Sequence, residues 1–272
     1  LTAERVAGRS THPYGRPTPV VFPHEIETER LRLVRLSRAT VPTAQLYRHM
    51  RAGAPHMSEV SEYAMWDPHE TPKDTHDFLV DVERQWDDRE QATYAIFARD
   101  DEATTDPEDA TDANDATGAN DATGELVGTT SLDFDWDRRS AELGIWLRKP
   151  FWGREYSGER AAALLELAFD LLDLELVGAS HRTGNERSRR AIEKYVERFG
   201  GQHDGVLRDF FPRDGEVGDL HRYTISREQF RTATGENEAT RENETPTENR
   251  AATPTENETL TENEAATTRS DE

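Results

Sequence analysis

The stretch Trp152-Gly153-Arg154-Glu155-Tyr156-Ser157-Gly158 places two glycines and a serine just before a run with the apolar spacing of a helix. The first four amides of a helix lack internal partners, and its dipole favours negative charge at that end. Successive backbone N–H groups in such a turn can grip an anion. Gly153 and Gly158 let the backbone approach a ligand closely, and Ser157 adds a hydroxyl donor. The plainer reading is a glycine-containing turn between a strand and a helix. A second candidate pair is Asn185 and Ser188, at the N-cap and first turn of a later helix. Both residue types cap helices well, so capping alone and capping plus a ligand contact both stand.

Other chemistries find less support. The chain has no cysteine, which excludes disulfides, thiolate nucleophiles and an acyl-thiol intermediate. Asp133, Asp135 and Asp137 have the spacing that opens a calcium loop. Arg138 stands where that loop needs glycine and Gly144 where it needs glutamate, so these acids read as the polar tip of a hairpin. The nine histidines include no H-E-x-x-H and no paired helical spacing, so no metal is expected.

The elements that must position these residues follow from periodicity. Residues 30–36 (RLRLVRL) alternate as a half-buried strand does. Residues 41–51 and 71–86 read as helices, the second with Thr71 as N-cap, Pro72 at the first position and Asp74 three residues after the cap. Strand-like runs at 93–99 and 126–134 bracket residues 100–125, a low-complexity acidic segment that reads as a disordered insert in a hairpin loop. A strand at 141–148 precedes a helix at 158–172, a strand at 175–180 and a helix at 185–199. Two strands near 206–211 and 217–225 close the pattern. The expected order is β-α-α-β-β-β-α-β-α-β-β, a mixed α/β sheet, mostly antiparallel, with one right-handed parallel βαβ crossover and flanking helices.

This order resembles the RimJ/RimL-type branch of the GNAT acetyltransferases. The carrying segments are TERLRLVRL, AELGIWLRKPFWGREYSGERAAALLELAF, NERSRRAIEKYVERFGG and LRDFFPRDGEVGDLHRY. The resemblance spans residues 26–230, leaving an extension at 1–25, the insert and a low-complexity acidic tail at 231–272, read as disordered. It implies acetyl-CoA as donor, with the loop Trp152, Gly153, Arg154, Glu155, Tyr156, Ser157 and Gly158 wrapping the CoA diphosphate. It also implies that the backbone of Trp146, Leu147 and Arg148 pairs with the pantetheine amides, and that Asn185 and Ser188 touch CoA. The family's loop has glycine where this chain has Glu155, a carboxylate beside a diphosphate and a Cβ that restricts torsions; Arg154 is the neighbour expected to neutralise it.

Glu142 is the implied base, at a position where this branch commonly carries glutamate; a structural or substrate-binding carboxylate is the alternative. Many relatives place a tyrosine acid seven residues after the asparagine of the second loop, and here that residue is Ile192. Tyr195, one turn on, reads as core; Ser188 is the other candidate for protonating the departing thiolate, a role implied by the resemblance to this branch. Asp219 and Tyr223 match the closing strands, where Asp219 could orient the amine or satisfy a backbone donor. The expected function is acetyl transfer from acetyl-CoA to a primary amine, on a protein N-terminus or a small molecule, within a ternary complex. A non-catalytic acyl-CoA-binding module is the alternative.

The net charge of −22 is uneven: residues 100–125 carry −10, residues 231–272 carry −7, and the remainder only −5. No large basic face is left for nucleic acid. Lys73, Lys149 and Lys194 are the only lysines. Low lysine with abundant acid reads as salt adaptation, since high salt screens the mutual repulsion; arginine-favouring codons are the alternative. Residues 1–16 have no apolar stretch of the signal-peptide kind, and no run is long enough to span a bilayer. A cytoplasmic protein with no membrane partner is expected; the sequence leaves the oligomeric state open, with a homodimer as one candidate.

Overall fold

A computed structural model describes residues 21–99, 124–213 and 216–235 of the chain. Most of the expected insert and nearly all of the expected tail therefore lie outside the described residues. Strands β1 (Glu25–Glu27) and β2 (Leu31–Arg35) lead into helices α1 (Thr43–Met50), α2 (Met57–Val60) and α3 (Pro72–Asp87). Then come β3 (Gln91–Ala98), β4 (Glu125–Asp135), β5 (Ser140–Leu147) and α4 (Tyr156–Glu166), which widens into a π turn at Leu167–Leu171. The chain closes with β6 (Leu176–Arg182), α5 (Glu186–Arg198), β7 (Gln202–Arg213), β8 (Glu216–Ser226) and α6 (Arg227–Thr234). All of the described residues fall in one compact unit.

The eight strands form one sheet in the order β1-β2-β3-β4-β5-β6-β8-β7. Every neighbouring pair is antiparallel except β5 and β6. This is the expected mixed sheet with one parallel crossover. Strand β3 is buried on both faces. Its Tyr94 and Ile96 join the core beneath α4, α5 and α6, while Ala95 and Phe97 join a second core with Leu46 of α1 and Leu79 and Val82 of α3. Helix α3 starts as its sequence requires: the Thr71 side chain accepts from the Asp74 N–H, and the Asp74 carboxylate accepts from Thr71 N–H in return. No described helix is long and apolar enough to cross a membrane.

Three expected boundaries are corrected. The N-terminal extension does not reach residue 25, because Phe22 is buried between Trp86 (ring centroids 5.2 Å) and Phe134 (5.0 Å). Tyr94 also donates to the Pro23 carbonyl at 3.0 Å. The insert ends earlier than residue 125, since Glu125 begins β4 and pairs with Arg148 at 3.1 Å. The tail begins later than residue 231. Helix α6 runs to Thr234, opened by reciprocal bonds between Ser226 and Gln229 and closed by Gly235 at φ 81°.

Candidate functional site

Strands β5 and β6 pair in register only from Ser140 opposite Leu176 to Glu142 opposite Gly178. Beyond Glu142 they part, and a cleft of about 1970 Å³ opens between them. A single small-molecule site usually occupies ~300–1,000 Å³, so this volume accommodates two reactants side by side. The parting also leaves one edge of β5 without a strand partner. The Arg148 N–H donates to the Val127 carbonyl of β4 at 2.8 Å. Alternation along the antiparallel ladder then turns the amides of Trp146 to β4 as well, and those of Ile145 and Leu147 toward the cleft. Of the expected trio Trp146, Leu147 and Arg148, only Leu147 thus presents backbone to the cleft. Ile145 is the residue that sequence reasoning missed, because a one-residue error in register inverts every backbone group. The Leu147 carbonyl is already engaged, accepting from the Trp152 indole N–H at 2.9 Å.

The glycine-containing turn lines this cleft. Gly153 lies at φ 79° and Glu155 at φ 65°, both left-handed, and Glu155 is the N-cap of α4. No described group accepts from the backbone N–H of Gly153, Glu155 or Ser157. The Gly158 N–H is different, since it donates to the Glu155 carbonyl at 3.0 Å. Three amides therefore remain for a ligand, and Gly158 contributes open space: a Cβ there would touch nothing. The turn is held from behind by Glu159. Its carboxylate accepts from Thr28 Oγ1 at 2.6 Å, and from Arg30 N and Nε at 2.7 Å each, while Arg30 Nη1 donates to the Arg154 carbonyl at 3.0 Å. Burial pushes the Glu159 carboxyl up, but these donors outweigh it and hold its pKa below the usual range.

Arg154 does not neutralise Glu155 as expected. Its guanidinium lies over the Phe151 ring at 5.5 Å, and the Glu155 carboxylate pairs instead with Lys194 of α5. The hydrogen bond and charge of Lys194 hold the Glu155 pKa below its usual value, so this exposed side chain is anionic at neutral pH. Left-handed torsions cost a residue with a Cβ roughly 1 kcal/mol, and glycine does not bear that cost. Glu155→Gly is expected to tighten CoA binding about 3- to 10-fold at low salt, the effect of removing one exposed charge near a diphosphate. Calorimetry checks this; unchanged or weaker binding would show that the turn does not face the diphosphate.

Glu142 stands where the two strands part. Its Oε1 pairs with Arg222 of β8 at 2.5 Å. Burial raises its pKa, and Arg222 offsets part of that rise. Opposite it, Gly178 is required: a Cβ at that position would fall onto the Glu142 carboxylate. On the far wall, Asn185 Oδ1 accepts from the Ser188 N–H at 3.1 Å, capping α5, and both residues line the cleft. Across the mouth runs a charged strap. Glu59 of α2 pairs with Lys149 at 2.5 Å and Arg187 at 2.6 Å, and the Arg187 guanidinium stacks over Trp152 at 4.2 Å.

Two expected substrate contacts do not reach the cleft. Asp219 Oδ1 accepts from the Asp209 N–H at 3.0 Å, supporting a β7 residue at φ 51°. Tyr223 is buried, and its hydroxyl meets His181 Nε2 at 3.1 Å. Neither residue is among those lining the cleft. Ile192 and Tyr195 are both buried, as expected for Tyr195, yet both also border the cleft floor.

The model of the acetyltransferase (GNAT) domain matches residues 30–195. The chain is 32% identical over 106 residues to the "Putative ribosomal N-acetyltransferase YdaF" of Bacillus subtilis, covering 39% of this chain and 56% of that protein. It is 30% identical over 102 residues to the uncharacterized N-acetyltransferase YoaA of the same organism, covering 37% and 55%. The chain thus spans about half the length of the curated relatives it matches. A crystal structure of spermidine N-acetyltransferase from Vibrio cholerae, in complex with CoA and spermine, superposes with a TM-score of 0.55 over 75% of this chain and 99% of that one; at 15% identity it speaks for the fold alone. A domain match over more than half of the chain settles the family: the chain belongs to the GNAT acetyltransferases.

Proposed function

We propose that the protein transfers an acetyl group from acetyl-CoA to a primary amine, on a protein N-terminus or a small molecule. The observation that carries this is the row of unpartnered amides at Gly153, Glu155 and Ser157, opening onto the same cleft as Glu142 and Ser188. The amides receive the CoA diphosphate, and the exposed edge of β5 at Ile145 and Leu147 guides the pantetheine toward Glu142. Glu142 takes a proton from the incoming ammonium, with the raised pKa suited to a base working near neutrality. The amine nitrogen then attacks the thioester carbon, the C–S bond breaks with its electron pair leaving on sulfur, and the surplus proton on the new amide nitrogen passes to that sulfur to give the CoA thiol. Ser188 donates a hydrogen bond to that sulfur. Losing one such bond is worth ~1.4 kcal/mol, so Ser188→Ala should lower kcat about 10-fold with little change in KM for acetyl-CoA. The deficit should shrink above pH ~8.5, where a thiol leaves as its anion unaided.

The acceptor side of the cleft favours an amine with an apolar flank. Met65 (69% exposed) and Phe210 (58% exposed) both line it. Calorimetry with acetyl-CoA in molar KCl, the salt to which the composition is suited, followed by thiol release with a panel of peptides and small amines, tests the reading. Micromolar binding with release for some amine is expected. Binding without release across the panel would instead make the chain an acyl-CoA-binding module.

A further inference from the structure

One buried charge in the cleft wall has no role in the account above. Arg160 sits in the second turn of α4 and is 1% exposed, which makes it the largest fully buried side chain among the described residues. No described carboxylate pairs with it, its Nε and Nη1 find no hydrogen-bond acceptor, and the Tyr195 hydroxyl is the group that bears on its charge. Its neighbour is Tyr195 of α5, whose ring centroid lies 5.9 Å from the guanidinium carbon. The Tyr195 hydroxyl is likewise buried without a hydrogen-bond partner. Both residues border the cleft together with Glu142 and Ile192.

An uncompensated buried guanidinium is expensive, and apolar replacements of buried charges are often neutral or stabilising. Trp146 Nε1 is a second buried donor in the cleft wall without an acceptor, but it is neutral, whereas the ionisable groups Glu159 and His181 have three donors and two partners respectively, so Arg160 is the buried charge left without an acceptor. Arg160 is therefore a donor group whose acceptor arrives with the ligand. Tyr195 locates that acceptor. It lies on the cleft-facing side of α5 with Ile192 and Ser188, at helical spacing, and Arg160 packs over its ring. Arg160 thus lies in the cleft wall against the face of α5 that also carries Ser188.

We infer that Arg160 is the electrostatic partner of the negative charge that collects at the thioester during transfer, above all on the departing CoA sulfur. The inference rests on the acetyl-transfer reading. A neutral amine and a neutral thioester carry no net charge, whereas expulsion of CoA leaves an anionic sulfur. A fixed cation there needs no reorganisation when the C–S bond breaks. Substrate binding gains little from it, so its effect falls on kcat. The ground state of the empty protein bears the cost.

The test compares wild type with Arg160→Met and Arg160→Lys. For Arg160→Met, kcat should fall about 10²- to 10³-fold, the usual effect of removing one such stabilising donor, with KM for acetyl-CoA within about 3-fold. Arg160→Lys should recover part of the loss. The empty Arg160→Met protein should melt at or above the wild-type temperature, which a merely structural arginine would not allow. A direct readout needs no turnover: the thiolate absorbance of bound CoA, titrated with pH, should show a thiol pKa below that of free CoA in wild type and restored in Arg160→Met. An unshifted thiol pKa in wild type overturns the inference, as does an Arg160→Met protein that melts lower and keeps its kcat. A wild type that preferred succinyl-CoA to acetyl-CoA, with the preference abolished in Arg160→Met, would also overturn it by assigning the guanidinium to an acyl carboxylate. Failure of CoA to bind at all would instead strike the acetyl-transfer reading.

Discussion

Glu142→Gln is expected to lower kcat about 10²- to 10⁴-fold, the range for loss of a general base. The isostere keeps the shape of the side chain and removes its basicity. The pH profile separates this from other losses. The wild-type rate should fall on the acid side as Glu142 takes up a proton, at a pKa above the ordinary carboxylate range because burial raises it more than Arg222 lowers it. In Glu142→Gln that limb should vanish, leaving a rate that rises with the fraction of amine already unprotonated. The stability sign runs the other way. A carboxyl whose folded pKa exceeds its unfolded pKa costs stability, and the cost appears as pH rises between the two values. Glu142→Gln should therefore melt no lower than wild type at pH 7, even though its partner Arg222 loses a charge pair. A variant that unfolds, or one that retains both rate and acid limb, would remove Glu142 from the mechanism.

The second large effect comes from a residue with no functional group. In Gly178→Ala the new Cβ would occupy the space of the Glu142 carboxylate, and the three nearest atoms it meets all belong to that side chain. A flexible carboxylate can swing aside, so the fold survives and the base moves. Displacing a reacting group by about 1 Å can cost ~10²-fold. The expected result is a loss of about that size in kcat, with acetyl-CoA affinity unchanged. The double variant Gly178→Ala/Glu142→Gln should be no slower than Glu142→Gln alone, because both changes act through one carboxylate. Additive losses would mean that Gly178 acts through backbone packing instead.

The parts of the fold that could be read from sequence are those whose signals are local. Thr71, Pro72 and Asp74 announce the start of α3 within four residues, and the structure uses all three. The turn ahead of α4 was legible for the same reason. What escaped depends on partners distant along the chain. Glu155 finds Lys194, 39 positions away, and not its neighbour Arg154. Glu159 reaches back to Thr28 and Arg30, and Phe22 is drawn into the core by Trp86 and Phe134. Helix α6 is an exception, because its Ser226-to-Gln229 signature was local; the acidic, low-complexity sequence that follows obscured it. The burial of Arg160 has no sequence signature at all, since an arginine on an amphipathic helix ordinarily reaches solvent.

The central claim is that a diphosphate seats on the amides at the start of α4, and residue-resolved NMR of the full chain tests it most directly. Adding CoA in molar KCl should shift the backbone amide signals of Gly153, Glu155 and Ser157, while pantetheine, which has no diphosphate, should leave them in place. Saturable CoA binding that perturbs other parts of the cleft and leaves these three amides unmoved would contradict the account.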